Sequence, residues 1–141
     1  MPHRVKSAPP LPPPPVLDEE MERAVAETSQ AFATPSRIRI LVRLWRGPAS
    51  VSTLAADVGM EQSAVSHQLR ILRDLRLVDV DREGRSSVYR LRDDHVAIML
   101  KEAIYHVEHL RLEGRRREAV TAGERTELPG RKVEPEVTPV G

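Results

Sequence analysis

The chain has 141 residues, a net charge of +1, no cysteine and very few aromatic residues. The absence of cysteine excludes disulfides, thiolate nucleophiles and thiolate metal sites. No stretch is apolar enough for a transmembrane helix, and the N-terminal "MPHRVKSAPP" lacks the apolar core of a signal peptide, so we expect a cytoplasmic protein with no membrane partner. The composition predicts one small domain with a core of Leu, Ile, Val and Ala, mainly on helices.

Charge is distributed unevenly along the chain. Residues 37–90 contain ten arginines and six acidic residues, a local balance of +4. The compensating acids lie in the first helix and in the C-terminal part. This asymmetry suggests an anionic partner for the middle of the chain.

Both ends of the chain are predicted to be disordered. Residues 1–16 contain the proline run "SAPPLPPPPV", which favours extended polyproline II and predicts a semi-rigid arm. Residues 113–141 are charged and interrupted by Gly and Pro, and they predict a disordered tail. The folded domain is therefore expected to span residues 17–112.

Two helices are predicted at the start of this domain. Asp18 can cap the first, whose buried side is expected to carry Met21, Val25 and Phe32. The second begins with Thr34 as N-cap and Pro35 at the first helical position, and it ends before Gly47-Pro48. Its apolar face is predicted at Ile38, Leu41, Val42 and Trp45.

The next segments predict a winged helix-turn-helix. "SVSTLAADVG" is a short helix ending at Gly59, and "EQSAVSHQLRILRDLRL" is a longer one that follows a tight turn. "LVDVDREGRSSVYRL" alternates apolar and polar residues on either side of Glu83-Gly84, which predicts a β-hairpin. The fold class is thus mainly α with a small β-hairpin.

The second helix of this pair has the side chains expected of a DNA-reading helix. Its exposed side is rich in Ser, Gln and Arg, whereas an ordinary solvated face would be rich in Glu and Lys. Short or flat polar side chains can reach base edges in a major groove, and arginines contact phosphates. Arginines at the hairpin tip can hold the backbone or enter the minor groove. The candidate DNA contacts are Gln62, Ser63, Ser66, His67, Gln68, Arg70, Arg73, Arg82 and Arg85.

The sequence from "ATPSRIRILVRLWRG" to "SSVYRL" resembles the ArsR/SmtB family of bacterial metal-responsive repressors, with "SAVSHQLRILRDLRLV" and "GRSSVYRL" as the most specific segments. The resemblance covers roughly residues 20–112. It implies a homodimeric winged helix-turn-helix protein that binds a palindromic operator in the metal-free state, at half-sites about 34 Å apart. It also implies DNA contacts at Gln62, Ser63, Ser66 and His67. Ser50 and Ser52 occupy the positions where some members carry metal-binding cysteines, which excludes a thiolate site there.

Three of the five histidines lie on the last predicted helix, "DDHVAIMLKEAIYHVEH". His95 and His106 are eleven residues apart, about 16 Å along a helix, so one ion cannot contact both within one chain. His106 and His109 are separated by three residues and can chelate one ion together. If a second copy of the helix packs antiparallel, Asp93 and His95 of one chain can complete a site with His106 and His109 of the other. Asp93 must then lie just before the helix. Histidines buried at a dimer interface without metal are the alternative.

The same four residues match the last-helix sensor site of the ArsR/SmtB family. One carboxylate and three imidazoles suit four-coordinate Zn(II) or Co(II), whereas Ni(II) prefers six ligands. The resemblance is strongest to the NmtR-type nickel and cobalt sensors, in which an N-terminal histidine contributes ligands. This implies that Pro2 and His3 supply the remaining donors, although Pro2 stands where a glycine is usual and Arg111 where a further histidine can occur. The alternative for His3 is a solvated residue in the arm.

These observations predict a repressor released from DNA by Ni(II) or Co(II). A metal-bound histidine would hydrogen-bond the backbone near Leu75-Arg76 and so couple the metal to the reading helix. A metal efflux gene is the target that the family resemblance implies. Two alternatives are a four-coordinate Zn(II)-responsive repressor and a metal-independent winged-helix regulator. We do not expect an enzyme, because only Glu102 is left as a general base beside the proposed ligands.

Overall fold

A computed structural model describes residues 10–126, with side chains as far as residue 123. These residues form two compact units that divide after Asp93. The first contains four helices and a small sheet, and the second is one long helix. Within residues 10–126, no helix combines the length and the apolar character needed to cross a bilayer.

Helix α1 spans Glu19–Gln30 and begins as the sequence predicts. The Asp18 carboxylate accepts a hydrogen bond of 2.8 Å from the Met21 backbone N–H, and three glutamates in the first turn complement the helix dipole. The prediction of a buried side is wrong for the single chain. Met21 is 51% exposed and Val25 is 50% exposed, so α1 presents an apolar side that residues 10–126 leave largely uncovered.

Helix α2 spans Pro35–Trp45, with Thr34 as N-cap and Pro35 in the first turn. Its buried residues are Ile40, Leu41 and Leu44. The predicted apolar face was therefore rotated from the observed one, because Trp45 is 43% exposed whereas Ile40 is fully buried. Helical periodicity alone could not choose between two overlapping apolar sides of "SRIRILVRLW".

Helices α3 (Val51–Val58) and α4 (Gln62–Asp74) form the predicted helix-turn-helix. The Ser50 hydroxyl accepts a hydrogen bond from the Thr53 backbone N–H at 3.2 Å and caps α3. Gly59 ends this helix in the left-handed conformation, at φ 69° and ψ 40°, where a side chain would be disfavoured. Val65, Leu69 and Leu72 form the buried side of α4.

The sheet has three antiparallel strands in the order β1-β3-β2. β2 (Val78–Glu83) and β3 (Ser86–Leu91) form the predicted hairpin, with Gly84 at φ 61° in the turn. The sequence did not predict β1 (Ala49–Ser50), a two-residue strand that pairs with β3 and leads directly into α3. Strands this short carry no periodic signal.

The end of α4 is closed by a Schellman cap without the usual glycine. The Leu77 N–H donates to the Leu72 carbonyl at 3.0 Å, and the Arg76 N–H donates to the Arg73 carbonyl at 2.9 Å. Arg76 adopts a left-handed φ of 58°, a conformation that costs about 1–2 kcal/mol for a residue with a Cβ atom. The cap does not use the backbone carbonyls of Leu75 and Arg76, where a metal-bound histidine is predicted to donate a hydrogen bond.

Helix α5 spans Asp94–Thr126, so it continues well beyond the predicted domain end at residue 112. The prediction of a disordered tail is wrong for residues 113–126. Arg, Glu and Ala in "EGRRREAVTAGERT" favour helix strongly enough to carry the chain through Gly114 and Gly123, and the next proline is Pro129. Val96 and Leu100 in its first turns are buried, whereas the later Val107 and Leu110 are 49% and 51% exposed.

Candidate functional site

Most of the predicted DNA-reading side of α4 is exposed. Gln62, Ser63, Ser66 and His67 are all exposed, while the opposite side of the helix is buried. The first turn contains no acidic residue. This half of α4 therefore offers hydroxyl, amide and imidazole groups to an anionic surface with no carboxylate among them.

Gln68 does not fit the prediction as well. Its side chain is only partly exposed, and its Oε1 atom is buried without a hydrogen-bond partner among the described residues. At α4's spacing it lies beside the buried side and not on the outermost one. Of the residues predicted to contact DNA, Gln68 is thus the one whose side chain is not fully accessible in this conformation.

Most arginines of the first unit fall into two groups. One group is neutralised within the chain: Arg43 contacts Asp57 at 2.6 Å, and Arg90 contacts Asp81 at 2.7 Å. The other group forms neither an ion pair nor a side-chain hydrogen bond in the described part of the chain. It consists of Arg23, Arg46, Arg76 and the four arginines that the sequence predicted as DNA contacts, namely Arg70, Arg73, Arg82 and Arg85.

Arg90 shows what distinguishes the first group. The hydrogen bond and charge of Asp81, with a smaller contribution from Asp79 at 3.6 Å, raise the pKa of its guanidinium. Arg92 lies 3.8 Å from the same Asp79. These two arginines balance the two aspartates at the base of the hairpin, so they are poor candidates for holding DNA phosphates.

A groove that the sequence did not reveal lies between α4 and β3. It has a volume of about 540 Å³, and its lining includes Ser66, Arg70, Arg73 and Tyr89. Tyr89 was not predicted to take part in any site. In the sequence, Tyr89 belongs only to the alternating apolar and polar pattern that predicts the hairpin. That pattern does not show that its side chain lies beside α4.

The candidate metal ligands that the structure describes lie just before α5 and along it. α5 begins at Asp94, so Asp93 precedes the helix, and His95, His106 and His109 are exposed on it. Among the described residues of one chain, no three His, Asp or Glu side chains come together in a group that could hold a metal ion. Pro2 and His3 lie outside the described residues.

His109 has a carboxylate neighbour that is not among the predicted ligands. Its Nε2 atom lies 3.2 Å from a carboxylate oxygen of Glu113, one turn further along α5. Both side chains are more than half exposed, so the contact is a surface pair of small energetic weight. Because residue 113 was assigned to a disordered tail, this pair could not be foreseen.

Comparison with known proteins shows which family shares this architecture. Residues 34–80 match the model of the bacterial regulatory proteins of the arsR family. The HTH-type transcriptional regulator NmtR of Mycobacterium tuberculosis is 62% identical over 96 residues, which are 68% of this chain and 80% of that protein. A transcriptional repressor SmtB homolog of Synechocystis is 42% identical over 67% of this chain and 72% of its own length.

Two solved structures extend the comparison. The solution structure of apo-NmtR superposes with a TM-score of 0.58 and 56% identity, covering 76% of this chain and 88% of that one. The homodimeric winged helix-turn-helix DNA-binding domain Mb0332 of Mycobacterium bovis gives a TM-score of 0.61 at 30% identity, covering 64% of this chain and 85% of that domain. This chain is a DNA-binding winged helix-turn-helix transcriptional regulator of the ArsR family.

Proposed function

We propose that this chain is a cytoplasmic metal-responsive repressor whose metal-free dimer binds a palindromic operator and releases it when Ni(II) or Co(II) binds. The observation that carries the metal part is the placement of the ligands on α5. His95 and His106 are about 16 Å apart on one continuous helix, and no group of three ligands forms within the described residues of a single chain. A site built from these residues needs two chains.

The DNA part of the proposal is supported by α4 and the hairpin. Gln62, Ser63, Ser66 and His67 would meet base edges in the major groove. Arg70 and Arg73 would contact phosphates beside them, and Arg82 and Arg85 would do so from the hairpin tip. All four arginines lack a carboxylate partner among the described residues, so their full charge is available to a polyanion.

The donor set fits a divalent transition metal. Asp93 and His95 of one chain, with His106 and His109 of its partner, offer one carboxylate oxygen and three imidazole nitrogens, which are borderline ligands for Zn(II), Co(II) or Ni(II). Pro2 and His3 would raise the number of donors toward the six that Ni(II) prefers. Bound there, the ion would supply a cross-link between the two copies of α5.

The functional consequence is a coupling between two distant binding events. Linking the two α5 helices favours one geometry of the dimer, and if that geometry spaces the two α4 helices poorly for DNA, affinity falls. Typical couplings correspond to about a 5- to 150-fold change in affinity. The regulated gene would then encode a protein that removes the same metal.

The proposal is tested by measuring duplex affinity with and without metal. A duplex selected from a random pool by the metal-free protein serves as the operator. Ni(II) or Co(II) is expected to weaken wild-type binding at least about tenfold, while His106→Gln should bind the duplex normally and lose the metal response. Glu108→Gln, a neighbouring exposed position outside the ligand set, is the control. If metal leaves wild-type affinity unchanged, the sensor function is wrong.

The same titration addresses the identity of the metal. Co(II) absorption distinguishes four-coordinate from six-coordinate sites, and we expect the wild-type spectrum to be that of a six-coordinate site. His3→Gln should shift it toward the four-coordinate form. A four-coordinate wild-type spectrum that His3→Gln leaves unchanged would instead favour the Zn(II)-type site.

A further inference from the structure

The hairpin has two chemically different faces. In an antiparallel pair, residues directly opposite each other project to the same side, and successive residues alternate. Asp79 pairs with Arg90, Asp81 with Val88 and Glu83 with Ser86, so all three acids of β2 lie on one face. The contacts of Arg90 with Asp79 and Asp81 agree with this assignment.

The other face carries no acidic residue. Val80 pairs with Tyr89 and Arg82 pairs with Ser87, which places these four side chains together on it. Tyr89 is also part of the groove that α4 lines. The acid-free face is therefore the one turned toward the reading helix, and the acidic face is turned away from it.

The groove itself offers donors to an anion. Ser66, Arg70 and Arg73 are exposed on the α4 side, and the half-buried Tyr89 lies on the β3 side. Its phenol hydroxyl has no hydrogen-bond partner among the described residues. Asp74, the last residue of α4, is the one acid in the lining, against two guanidinium groups.

We propose that this groove and the acid-free face of the hairpin form a continuous track for the DNA sugar-phosphate backbone, in which Tyr89 donates a hydrogen bond to a phosphate held by Arg70 and Arg73. Ser87 and Arg82 continue the track toward the hairpin tip. The inference rests on the proposed DNA binding. It adds two contact residues, Tyr89 and Ser87, and it specifies which face of the hairpin meets DNA. DNA meets one face of the hairpin, and the three acids on the other face disfavour contact there.

The spacing of the track favours a backbone over a single free anion. Tyr89 and Ser87 are two residues apart on one strand, about 6.6 Å, and Arg82 lies opposite Ser87. The donors thus follow one another along the face and do not converge on one point. A free phosphate ion would occupy only the groove and would leave Ser87 and Arg82 unused.

The test uses the two tyrosines of the chain as a matched pair. Binding of the full-length protein to a labelled duplex of mixed sequence is measured as a function of salt, because phosphate contacts do not depend on sequence. Tyr89→Phe removes one hydroxyl and is expected to weaken binding about tenfold without changing the salt slope, since the variant gives up a hydrogen bond to a charged group but no charge of its own. Tyr105→Phe, on α5, should bind like wild type.

A second variant reports the charge. Arg70→Ala is expected to reduce the slope of log affinity against log salt by about 0.9 for each phosphate that the protein no longer neutralises, hence roughly 1.8 per dimer. Thermal unfolding of each variant shows whether the fold is retained, and Tyr89→Phe keeps the ring that lies beside Val80. Inorganic phosphate, compared with chloride at equal ionic strength, should compete no better than chloride.

The outcomes separate the two claims. If wild type binds duplex and Tyr89→Phe binds equally well, the track is wrong while the repressor proposal stands. Strong competition by inorganic phosphate that Tyr89→Phe abolishes would also overturn it, in favour of a free-anion site. If wild type binds no duplex at all, both proposals fail.

Discussion

The winged-helix unit and α5 bury their apolar residues in different ways. In the unit that ends at Asp93, large aliphatic side chains from three helices and the sheet are buried within the chain, among them Ile40, Leu41, Leu54, Leu69 and Val78. Among the side chains of α5 that the structure describes, only Val96 and Leu100 are buried, although apolar residues continue at helical spacing through Val107 and Leu110. A single chain therefore buries the core of the first unit, but it leaves most of the apolar side of α5 exposed.

This difference agrees with the proposed locations of the two functions. A DNA-reading surface must hold several side chains in fixed positions, and the buried side of α4 gives it that support. A sensor must change with its ligand, and a surface completed only by a second chain is suited to such a change. α1 also leaves apolar side chains uncovered, since Met21 and Val25 are about half exposed.

The largest expected effect comes from placing a charge on the open side of α5. Leu110→Glu should raise the dimer dissociation constant at least about 100-fold. A two-fold dimer contains the substitution in both chains, and burial of each leucine contributes about 1.5–3 kcal/mol. Analytical ultracentrifugation measures the dimer constant. Leu112→Glu, at a similarly exposed residue on the opposite side of the helix, is the control. Equal effects of both substitutions would show that the apolar stripe through Val107 is not the interface.

A smaller effect in the opposite direction is expected within the winged-helix unit. Arg76→Gly relieves the left-handed backbone at the end of α4 but makes the unfolded chain more flexible, and we expect a net stabilisation of about 0.5–1 kcal/mol. Urea unfolding at fixed protein concentration measures the change. Gly84→Ala, also at positive φ, should be destabilising. An Arg76→Gly protein less stable than wild type would mean that the side chain contributes more than the backbone conformation costs.

The sequence was most informative where local patterns determine structure. Asp18, Pro35 and Gly59 marked helix ends correctly, and the alternation around Gly84 predicted the hairpin, because caps and turns depend on a few neighbouring residues. The helix-turn-helix with its exposed Ser66 and His67 followed from the same signals.

Long-range packing was less predictable. The short strand at Ala49, the groove at Tyr89 and the partial burial of Gln68 depend on contacts between segments distant in sequence. The end of α5 differs from its prediction for another reason. Gly114 and Gly123 suggest helix breaks, whereas each costs a helix only about 1 kcal/mol and the residues around them outweigh this cost. The predicted burial of Met21 and Val25 is wrong for the described part of one chain, because helical periodicity shows which side of α1 is apolar but not whether another segment covers it.

Complementation between two defective chains tests the central claim that the metal site is shared by two subunits. Chains carrying His95→Ala and chains carrying His106→Ala are each expected to lose the wild-type Co(II) spectrum. After the two are unfolded and refolded together, half of the dimers are mixed, and each mixed dimer has one of its two sites intact. The spectrum should then return to roughly a quarter of its wild-type intensity. A mixture that binds no more Co(II) than its separate components would contradict a shared site.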